Sequence, residues 1–360
     1  MKKYDAVLFF KFLRFEHLSK DIGFIYDAFL KNKKMLKISG FENESKTRDD
    51  ICYITGRFNN RFSFLKTLIY VYLLRRRTKK LILLHVTREN IIISLFYRVF
   101  NKNTVYIKSD INIDSFKRRG NSFWNKNFII DPIFKMIACR YINKISVETR
   151  HGESLVKRFF HNRIPVFYLP NSSNIKPICK SKIINKENRI LYVGRLGCKH
   201  KNVEMIFEAL EKLDDSPFQF DFVGPITEDF KDKVRDFIQN SSCRVDFLGP
   251  IYDKDELKKL YHRSKYFLLS SKSEGFPLVF PEALSSGCTI ISSDVYAASD
   301  VVVSEKFIFH TVEELVEILK SLPDLDFEYY GYKSLEKYKN FNRDLLIDVL
   351  SDEVINARDL

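Results

Sequence analysis

The sequence lacks the patterns that mark several common classes of protein. Its six cysteines form no Cys-x-x-Cys pair, so neither a zinc site nor a disulfide framework is predicted. The longest apolar runs, such as Leu81–Leu84 and Ile91–Phe96, are far too short to span a bilayer. Lys11 and Arg14 interrupt the apolar stretch near the N-terminus, and no small-residue cleavage site follows, which favours a first strand over a signal peptide. We therefore expect a cytoplasmic protein.

Two further absences concern cofactors. The segment after the first predicted strand, Phe9-Phe-Lys-Phe-Leu-Arg14, contains no Gly-x-Gly-x-x-Gly, so a dehydrogenase-type dinucleotide site is not expected. No paired-aspartate motif for a metal is present either. We expect no metal and no other cofactor. Only 12 glycines and 10 prolines occur in 360 residues, which favours long helices and buried strands over a loop-rich scaffold.

The charge of the chain is distributed unevenly. The formal net charge is +14, but residues 1–180 hold 36 Lys and Arg against 14 Asp and Glu, a balance of +22, and the remainder carries −8. So basic a half predicts an anionic partner, which could be nucleic acid, an acidic membrane surface or a phosphorylated acceptor. A lysine-rich solvated surface is the alternative. A nucleic-acid-binding protein is disfavoured, because no helix-turn-helix, RNA-binding or zinc pattern is present.

Short apolar strands alternate with helical stretches along both halves of the chain. This alternation predicts an α/β fold with parallel sheets and right-handed crossovers. Because 360 residues exceed one ordinary core, we expect two Rossmann-like domains, with ligands bound at the carboxyl ends of their strands. The domains are placed at 1–172 and 187–340, a polar linker at 173–186 and a C-terminal helical segment at 341–360. The predicted strands are 5–10, 81–85, 104–107, 145–147, 166–168, 190–193, 218–223, 245–248, 267–269 and 289–292.

The most informative segment is Ser271-Lys-Ser-Glu-Gly-Phe-Pro-Leu-Val-Phe-Pro-Glu-Ala-Leu-Ser-Ser-Gly287, which follows a predicted strand and opens into a short helix. Glu274 lies in the loop and Glu282 in the early helix, so both carboxylates can point into one cleft. Free amides at a helix start bind a diphosphate well. Carboxylates for sugar and ribose hydroxyls, with amides between them, match the order of groups in a nucleotide sugar. The predicted amides are those of Gly275, Phe276, Leu278 and Val279. Either glutamate alone could equally be a helix charge or a solvated loop residue.

A second motif, Ile190-Leu-Tyr-Val-Gly-Arg-Leu-Gly-Cys-Lys-His-Lys-Asn202, predicts a buried strand that ends at Gly194. Arg195 follows the strand and offers a planar fork to phosphate oxygens, and Lys201 offers a mobile point charge. Two cations here would stabilise the charge that develops on a leaving diphosphate. Taken alone, basic residues at a strand tip would more simply be solvated.

These motifs together resemble the large family-4 group of retaining GT-B glycosyltransferases, most densely from about residue 189 to 303. The resemblance implies two Rossmann-like domains that face each other across a cleft, with the C-terminal helix crossing back to the first. It implies that Glu274 contacts the donor sugar, that Glu282 binds the ribose, and that Arg195 and Lys201 hold the diphosphate without a metal. One extra residue precedes the Lys-Asn pair here, so Lys199 could substitute for Lys201.

The first half matches this family only in outline, at Ile145–Arg150 and Leu169–Ser172. Many relatives carry a His-Asp pair near the sugar where this chain has Ser109 and Asp110, so only Asp110 is carried over as a candidate catalytic residue. A loop-stabilising aspartate is the alternative. The resemblance also implies departure and attack on one face of the sugar, with the donor phosphate helping to deprotonate the acceptor.

Two basic and aromatic stretches, 62–80 and 116–128, complete the candidate surfaces. Helices of this kind can lie on anionic membranes. Equally, their apolar residues could belong to the core and their charges could be solvated. The membrane contacts are predicted at Arg75, Arg76, Arg77, Lys79 and Lys80. The sequence thus predicts a retaining hexosyltransferase on the inner face of the cytoplasmic membrane, using a UDP- or GDP-sugar and a lipid-linked or polysaccharide acceptor (lipopolysaccharide or capsule). A nucleotide-sugar epimerase is the alternative of the same fold.

Overall fold

The computed structural model describes residues 4–13, 21–42, 51–54, 61–99, 101–110, 132–173, 175–213 and 215–357. The chain divides into two compact units. The first unit comprises Met1–Pro170 and Asp344–Leu360, and the second comprises Asn171–Arg343. Each unit contains one parallel β-sheet, and helices lie between many of its successive strands.

The first unit contains a seven-stranded parallel sheet with the strand order β3-β2-β1-β4-β5-β6-β7. Its strands are β1 (Ala6–Leu13), β2 (Leu36–Glu42), β3 (Ile51–Ile54), β4 (Lys80–Leu84), β5 (Thr104–Ser109), β6 (Lys144–Val147) and β7 (Val166–Tyr168). Its N-terminal helices are α1 (Asp21–Lys31), α2 (Arg61–Leu74), α3 (Arg88–Arg98), α4 (Pro132–Tyr141) and α5 (Arg150–Phe159).

The apolar runs of the sequence become the central strands of this sheet. Leu81–Leu84 in β4 is buried throughout, because strands of a parallel sheet are covered on both faces and carry apolar side chains at successive positions. Side-chain caps fix where the next helices begin. The Thr87 hydroxyl accepts a bond from the Asn90 amide at the start of α3, and Thr149 caps α5 in the same way.

The second unit contains a six-stranded parallel sheet with the order β10-β9-β8-β11-β12-β13. Its strands are β8 (Glu187–Val193), β9 (Gln219–Val223), β10 (Arg244–Gly249), β11 (Ser264–Leu269), β12 (Thr289–Ser293) and β13 (Ile308–Phe309). Its helices are α6 (Glu204–Glu211), α7 (Lys231–Asn240), α8 (Lys254–Arg263), α9 (Val279–Ser285), α10 (Ala298–Val301), α11 (Val312–Ser321) and α12 (Phe327–Tyr338).

The segment expected to be a linker, 173–186, packs as part of the second unit. Ile178 and Ile183 are buried in the core of that unit, and the Ile178 amide donates to the Ser285 carbonyl at 2.9 Å. Although the segment has no helical or strand periodicity, these two apolar side chains anchor it. The second unit therefore begins at Asn171 rather than at 187.

The chain ends with α13 (Arg343–Leu350) and a π-helical turn, Ser351–Ile355. Leu346, Ile347 and Leu350 of α13 are buried in the core of the first unit. An ion pair from Lys144 to Glu353, at 2.5 Å, also attaches this segment to the first unit. The C-terminal residues are thus an integral layer of that unit's core.

Candidate active site

The two sequence motifs of the second unit meet where its strand order reverses. β8, β9 and β10 extend to one edge of the sheet, while β11, β12 and β13 extend to the other. In doubly wound sheets, ligands bind beyond the carboxyl ends of the strands at this switch point. The loop after β8 carries Arg195 and Lys201, and the loop after β11 carries Glu274. The fold therefore brings both motifs to the position where a ligand is expected.

The side chains of Lys201 and Glu274 form an ion pair at this switch point. Lys201 Nζ lies 2.5 Å from Glu274 Oε1, and each side chain is only 16% exposed. The Ser271 hydroxyl donates to the same carboxylate oxygen at 2.7 Å. The Lys272 amide also donates to the His200 carbonyl at 2.8 Å, which ties the two loops together. A charged pair this shielded from water interacts strongly with any polar ligand that enters.

Two glycines allow the loops after β8 and β9 to approach each other. A Cβ on Gly194 would lie 2.9 Å from the Tyr192 hydroxyl, and a Cβ on Gly224, at φ +145°, would lie 1.9 Å from the Gly194 carbonyl oxygen. Only glycine fits at Gly224, in both space and backbone conformation. In the described part of the chain, the buried Tyr192 hydroxyl has no hydrogen-bond partner, and burial raises its pKa.

The remaining predicted cations of this loop are exposed. Arg195 and Lys199 form no ion pair or hydrogen bond with any residue that the structure describes. Lys201, in contrast, forms a hydrogen-bonded ion pair with Glu274. The structure thus separates the two lysines that the sequence left as alternatives. One is positioned by a carboxylate, and the other is free to turn towards an anion.

The predicted amides lie in the segment before α9 and at the first residue of that helix. Within the described residues, the amide groups of Gly275, Phe276, Leu278 and Val279 donate to no protein acceptor. The Asn171 side chain donates to the Phe276 carbonyl at 2.9 Å and fixes the course of this segment. Unsatisfied amides at a helix start attract anions.

Glu282 lies in the first turn of α9 with its carboxylate bound to a buried tyrosine. The Tyr261 hydroxyl donates to Glu282 Oε2 at 3.0 Å. Burial raises the pKa of the Glu282 carboxyl to about 7, although the Tyr261 bond and the cation of Lys254 oppose this shift. The carboxylate is therefore poised between its two protonation states near neutral pH.

In the first unit, Asp110 is exposed just beyond the carboxyl end of β5. The sequence did not single out the buried ion pairs formed by its neighbour Lys108, whose Nζ lies 2.5 Å from Glu148 and 2.9 Å from Asp21. Burial alone would lower the pKa of Lys108, but the two carboxylates outweigh burial and raise it. A lysine near the end of a buried strand was the signal that could have indicated this cluster.

The structure divides the five predicted membrane contacts. Lys80 Nζ donates to the Val354 and Ile355 carbonyls of the C-terminal turn. Arg75 donates to the Val99 carbonyl at 2.9 Å, and its guanidinium stacks on the Tyr72 ring. These two side chains thus have partners within the first unit. Exposed side chains remain at Arg76, Arg77 and Lys79.

The other predicted surface, 116–128, lies outside the described residues. Within the described ranges, no helix is long and apolar enough to cross a bilayer. The same ranges contain no group of three His, Cys, Asp or Glu side chains that could hold a metal ion.

The second unit matches a known protein family. Residues 176–343 match the family model described as glycosyl transferases group 1. The chain is 33% identical over 123 residues to an α-1,4-N-acetyl-D-galactosaminyltransferase of Campylobacter jejuni, covering 32% of each chain. It is 24% identical over 180 residues to the capsular polysaccharide biosynthesis glycosyltransferase CapH of Staphylococcus aureus, covering 49% of this chain and 48% of CapH. The chain thus spans from a third to half of these relatives, and the matching family and relatives are all transferases.

Solved structures match over nearly the whole chain. Sucrose-phosphate synthase of Thermosynechococcus elongatus has a TM-score of 0.71 at 15% identity, covering 97% of each chain. The lipopolysaccharide outer core galactosyltransferase WaaB has a TM-score of 0.70 at 17% identity, covering 97% of this chain and 98% of WaaB. Anabaena HepE, solved with UDP and glucose, has a TM-score of 0.67 at 12% identity, covering 98% of this chain and all of HepE. The fold is GT-B.

Proposed function

We propose that this protein is a retaining glycosyltransferase that moves a hexose-type sugar from a UDP- or GDP-sugar to a lipid-linked or cell-surface polysaccharide acceptor. The observation that carries the proposal is the convergence of Lys201, Glu274 and Arg195 at the switch point of the second unit. A nucleotide sugar presents hydroxyls, two phosphates and a ribose, and this edge of the sheet offers carboxylates, cations and free amides.

Each group of the donor has a matching group on the protein. Glu274 accepts a hydroxyl hydrogen bond from the sugar, and Lys201, held by that carboxylate at 2.5 Å, meets the diphosphate. Arg195 and Lys199 add positive charge where negative charge grows as the leaving group departs. Glu282, in its ionised form, accepts the ribose hydroxyls. No metal is required by this set of contacts.

The proposed reaction keeps the configuration of the sugar without a covalent enzyme intermediate. Glu274 Oε1 already accepts bonds from Lys201 and Ser271, which suits a binding carboxylate better than a nucleophile. The bond between the anomeric carbon and the diphosphate oxygen breaks, and the acceptor oxygen bonds to that carbon on the same face. The acceptor proton passes to a phosphate oxygen of the leaving diphosphate.

The relatives support a glycan acceptor. The Campylobacter relative is named for an undecaprenol diphosphate-linked glycan, and the Staphylococcus relative for capsular polysaccharide. The galactosyltransferase WaaB, similar in fold, is named for lipopolysaccharide. We propose an acceptor of this class for the present chain, and no nucleic acid.

An anionic membrane surface is the proposed site of action. Helix α2 exposes Leu65, Ile69 and Leu73, which lie four residues apart and therefore on one face. Arg76 and Arg77 are exposed directly after this helix, and its first turn has no acidic residue. Apolar side chains beside cations suit the interface of an anionic bilayer. The protein would then act as a peripheral protein on the inner face of the cytoplasmic membrane.

Calorimetry with a panel of UDP- and GDP-sugars tests the donor assignment. We expect one class to bind, and Lys201→Ala to weaken its binding at least tenfold, because a charge-assisted contact to phosphate is lost. Lys212→Ala, which removes an exposed lysine of the same unit, is the matched control. Absence of binding by every nucleotide sugar would contradict the proposal. Conversion of a donor into its epimer would favour the epimerase instead.

A further inference from the structure

The sheet of the first unit has a switch point of its own. From β1 the chain proceeds through β2 and β3 to one edge, and then returns to β4 on the other side of β1. The crevice of a doubly wound sheet lies at the carboxyl ends of two such strands. His85 is the first residue after β4 and therefore lies at this crevice.

The backbone of His85 adopts a conformation that L-residues rarely take. Its φ is +66°, in the left-handed region. Five non-glycine residues of the described chain share a positive φ. Three of them, Lys33, His161 and Asn162, lie two or three residues beyond the ends of helices, where such conformations are common. The other two, His85 and Asn202, each lie in the loop at a sheet's switch point.

Several hydrogen bonds hold His85 in this conformation. Its amide donates to the Lys108 carbonyl at 2.7 Å, which extends the pairing of β4 with β5 by one residue. The Asn90 side chain donates to the carbonyls of Leu84 and His85 at 2.7 and 2.8 Å. Backbone strain that is over-determined by its surroundings clusters at ligand sites.

The imidazole that this framework presents is available to a ligand. His85 is exposed, and nothing in the described chain hydrogen-bonds its ring nitrogens. His161 offers a contrast, because its Nε2 lies 3.0 Å from Lys135 Nζ. The neighbouring cation Lys108 is buried and paired with Glu148 and Asp21, so it is not available to an anion at this crevice.

We propose that His85 binds a hydroxyl group of the acceptor glycan. A neutral imidazole has one donor and one acceptor nitrogen, which complements a hydroxyl group that also donates and accepts. The histidine that many relatives carry beside Asp110 is Ser109 here, and its hydroxyl instead accepts a bond from the Val86 amide at 3.3 Å. In this chain, His85 after β4 thus supplies an imidazole at the carboxyl edge of the sheet, beside the end of β5. The inference rests on the proposed glycosyltransferase function.

Histidine-selective NMR tests this proposal on the full-length protein. The chain has seven histidines, so the His85 signal can be assigned as the one missing from the spectrum of His85→Gly. Methyl hexopyranosides and methyl N-acetylhexosaminides at millimolar concentration serve as acceptor probes. We expect at least one to shift the His85 signal and to bind His85→Gly at least tenfold more weakly. His161→Ala, which changes another exposed histidine with a positive φ, should bind within twofold of the wild type.

The His85→Gly variant should keep the fold, because glycine adopts φ +66° without strain. Its melting temperature should be no lower than that of the wild type. A glycoside that binds equally to wild type and variant would overturn the role of His85, as would a protein that binds nucleotide sugars but none of the glycosides. Failure to bind any nucleotide sugar would instead remove the proposed function, since donor binding uses the second unit.

Discussion

At the scale of single residues, the two glutamates of the proposed donor site are held in different ways. Glu274 is paired with a cation, Lys201. The Glu282 carboxylate accepts a hydrogen bond from the Tyr261 hydroxyl, and burial raises its pKa to about 7. A carboxyl that is half ionised near neutral pH makes ligand binding sensitive to pH.

We expect nucleotide-sugar binding to tighten about tenfold as the pH rises from about 6 to about 8, because only ionised Glu282 accepts both ribose hydroxyls. Over the range from the ordinary carboxyl pKa up to about 7, the free energy of unfolding should fall with rising pH, since the unfolded chain releases this proton first. Calorimetry across this range measures the first effect. In Glu282→Gln the dependence should vanish and binding should weaken by about 1.5–3 kcal/mol. An unchanged slope in that variant would remove Glu282 from the site.

Arg195 permits a second prediction at this scale. In the proposed reaction the exposed guanidinium of Arg195 meets charge that grows as the donor breaks, so Arg195→Ala should lower kcat more than it raises KM. The loss of kcat should be on the order of 10²-fold, as for other single donors to a developing anion. Steady-state donor hydrolysis measures both constants. If KM alone changed, Arg195 would act in binding and not in catalysis.

At the scale of structural elements, the contact between the loops after β8 and β9 depends on one glycine. Gly224→Ala would place a Cβ 1.9 Å from the Gly194 carbonyl oxygen, and backbone must move to relieve the clash. We expect it to lower the free energy of unfolding by about 2–4 kcal/mol, measured by denaturant titration. Gly249→Ala is the matched control, since Gly249 also has a positive φ but nothing lies within 4 Å of its Cβ. That control should cost about 1–2 kcal/mol of backbone strain alone. Equal losses in the two variants would rule out the clash.

The elements that sequence patterns predicted best are the buried ones. The strand predicted at 81–85 is shifted by one residue from β4, and the strand predicted at 289–292 lacks only the last residue of β12, because parallel strands carry near-continuous apolar runs. β2 and β3 were not predicted: β2 contains Lys37, Ser39 and Gly40 within seven residues and breaks this pattern. β13, with two residues, is too short to leave any periodicity.

At the scale of the whole molecule, the second half could be interpreted from local motifs and the first could not. The residues around Glu274 and Arg195 each form a continuous segment, so the sequence alone brings their chemistry into view. His85 becomes notable only once the strand order places it at a switch point. Lys80 was predicted to lie on the membrane-binding surface. Its acceptors, the carbonyls of Val354 and Ile355, lie more than 270 positions away along the chain, so no local pattern indicates them.

The uneven charge of the chain leads to the last prediction, which concerns attachment to membranes. Neutralising Arg76, Arg77 and Lys79 to Gln should weaken binding to anionic vesicles over a hundredfold, because each cation near such a surface contributes about 1 kcal/mol. The matched control neutralises Lys182, Lys259 and Lys320, three exposed lysines of the second unit, and changes the net charge equally.

Co-sedimentation with vesicles at low and high salt measures the effect. If the basic segment after α2 is the contact, only the first triple variant loses binding, and salt weakens the wild type because the attraction is screened beyond roughly 8–10 Å. Equal losses in both variants would mean that net charge, and not this surface, attracts the protein. The exposed face of Leu65, Ile69 and Leu73 adds a second criterion, since apolar contact is not screened. Replacing these three leucine and isoleucine side chains by Ser should therefore remove the binding that survives at high salt, while donor hydrolysis, which depends on the second unit, stays unchanged.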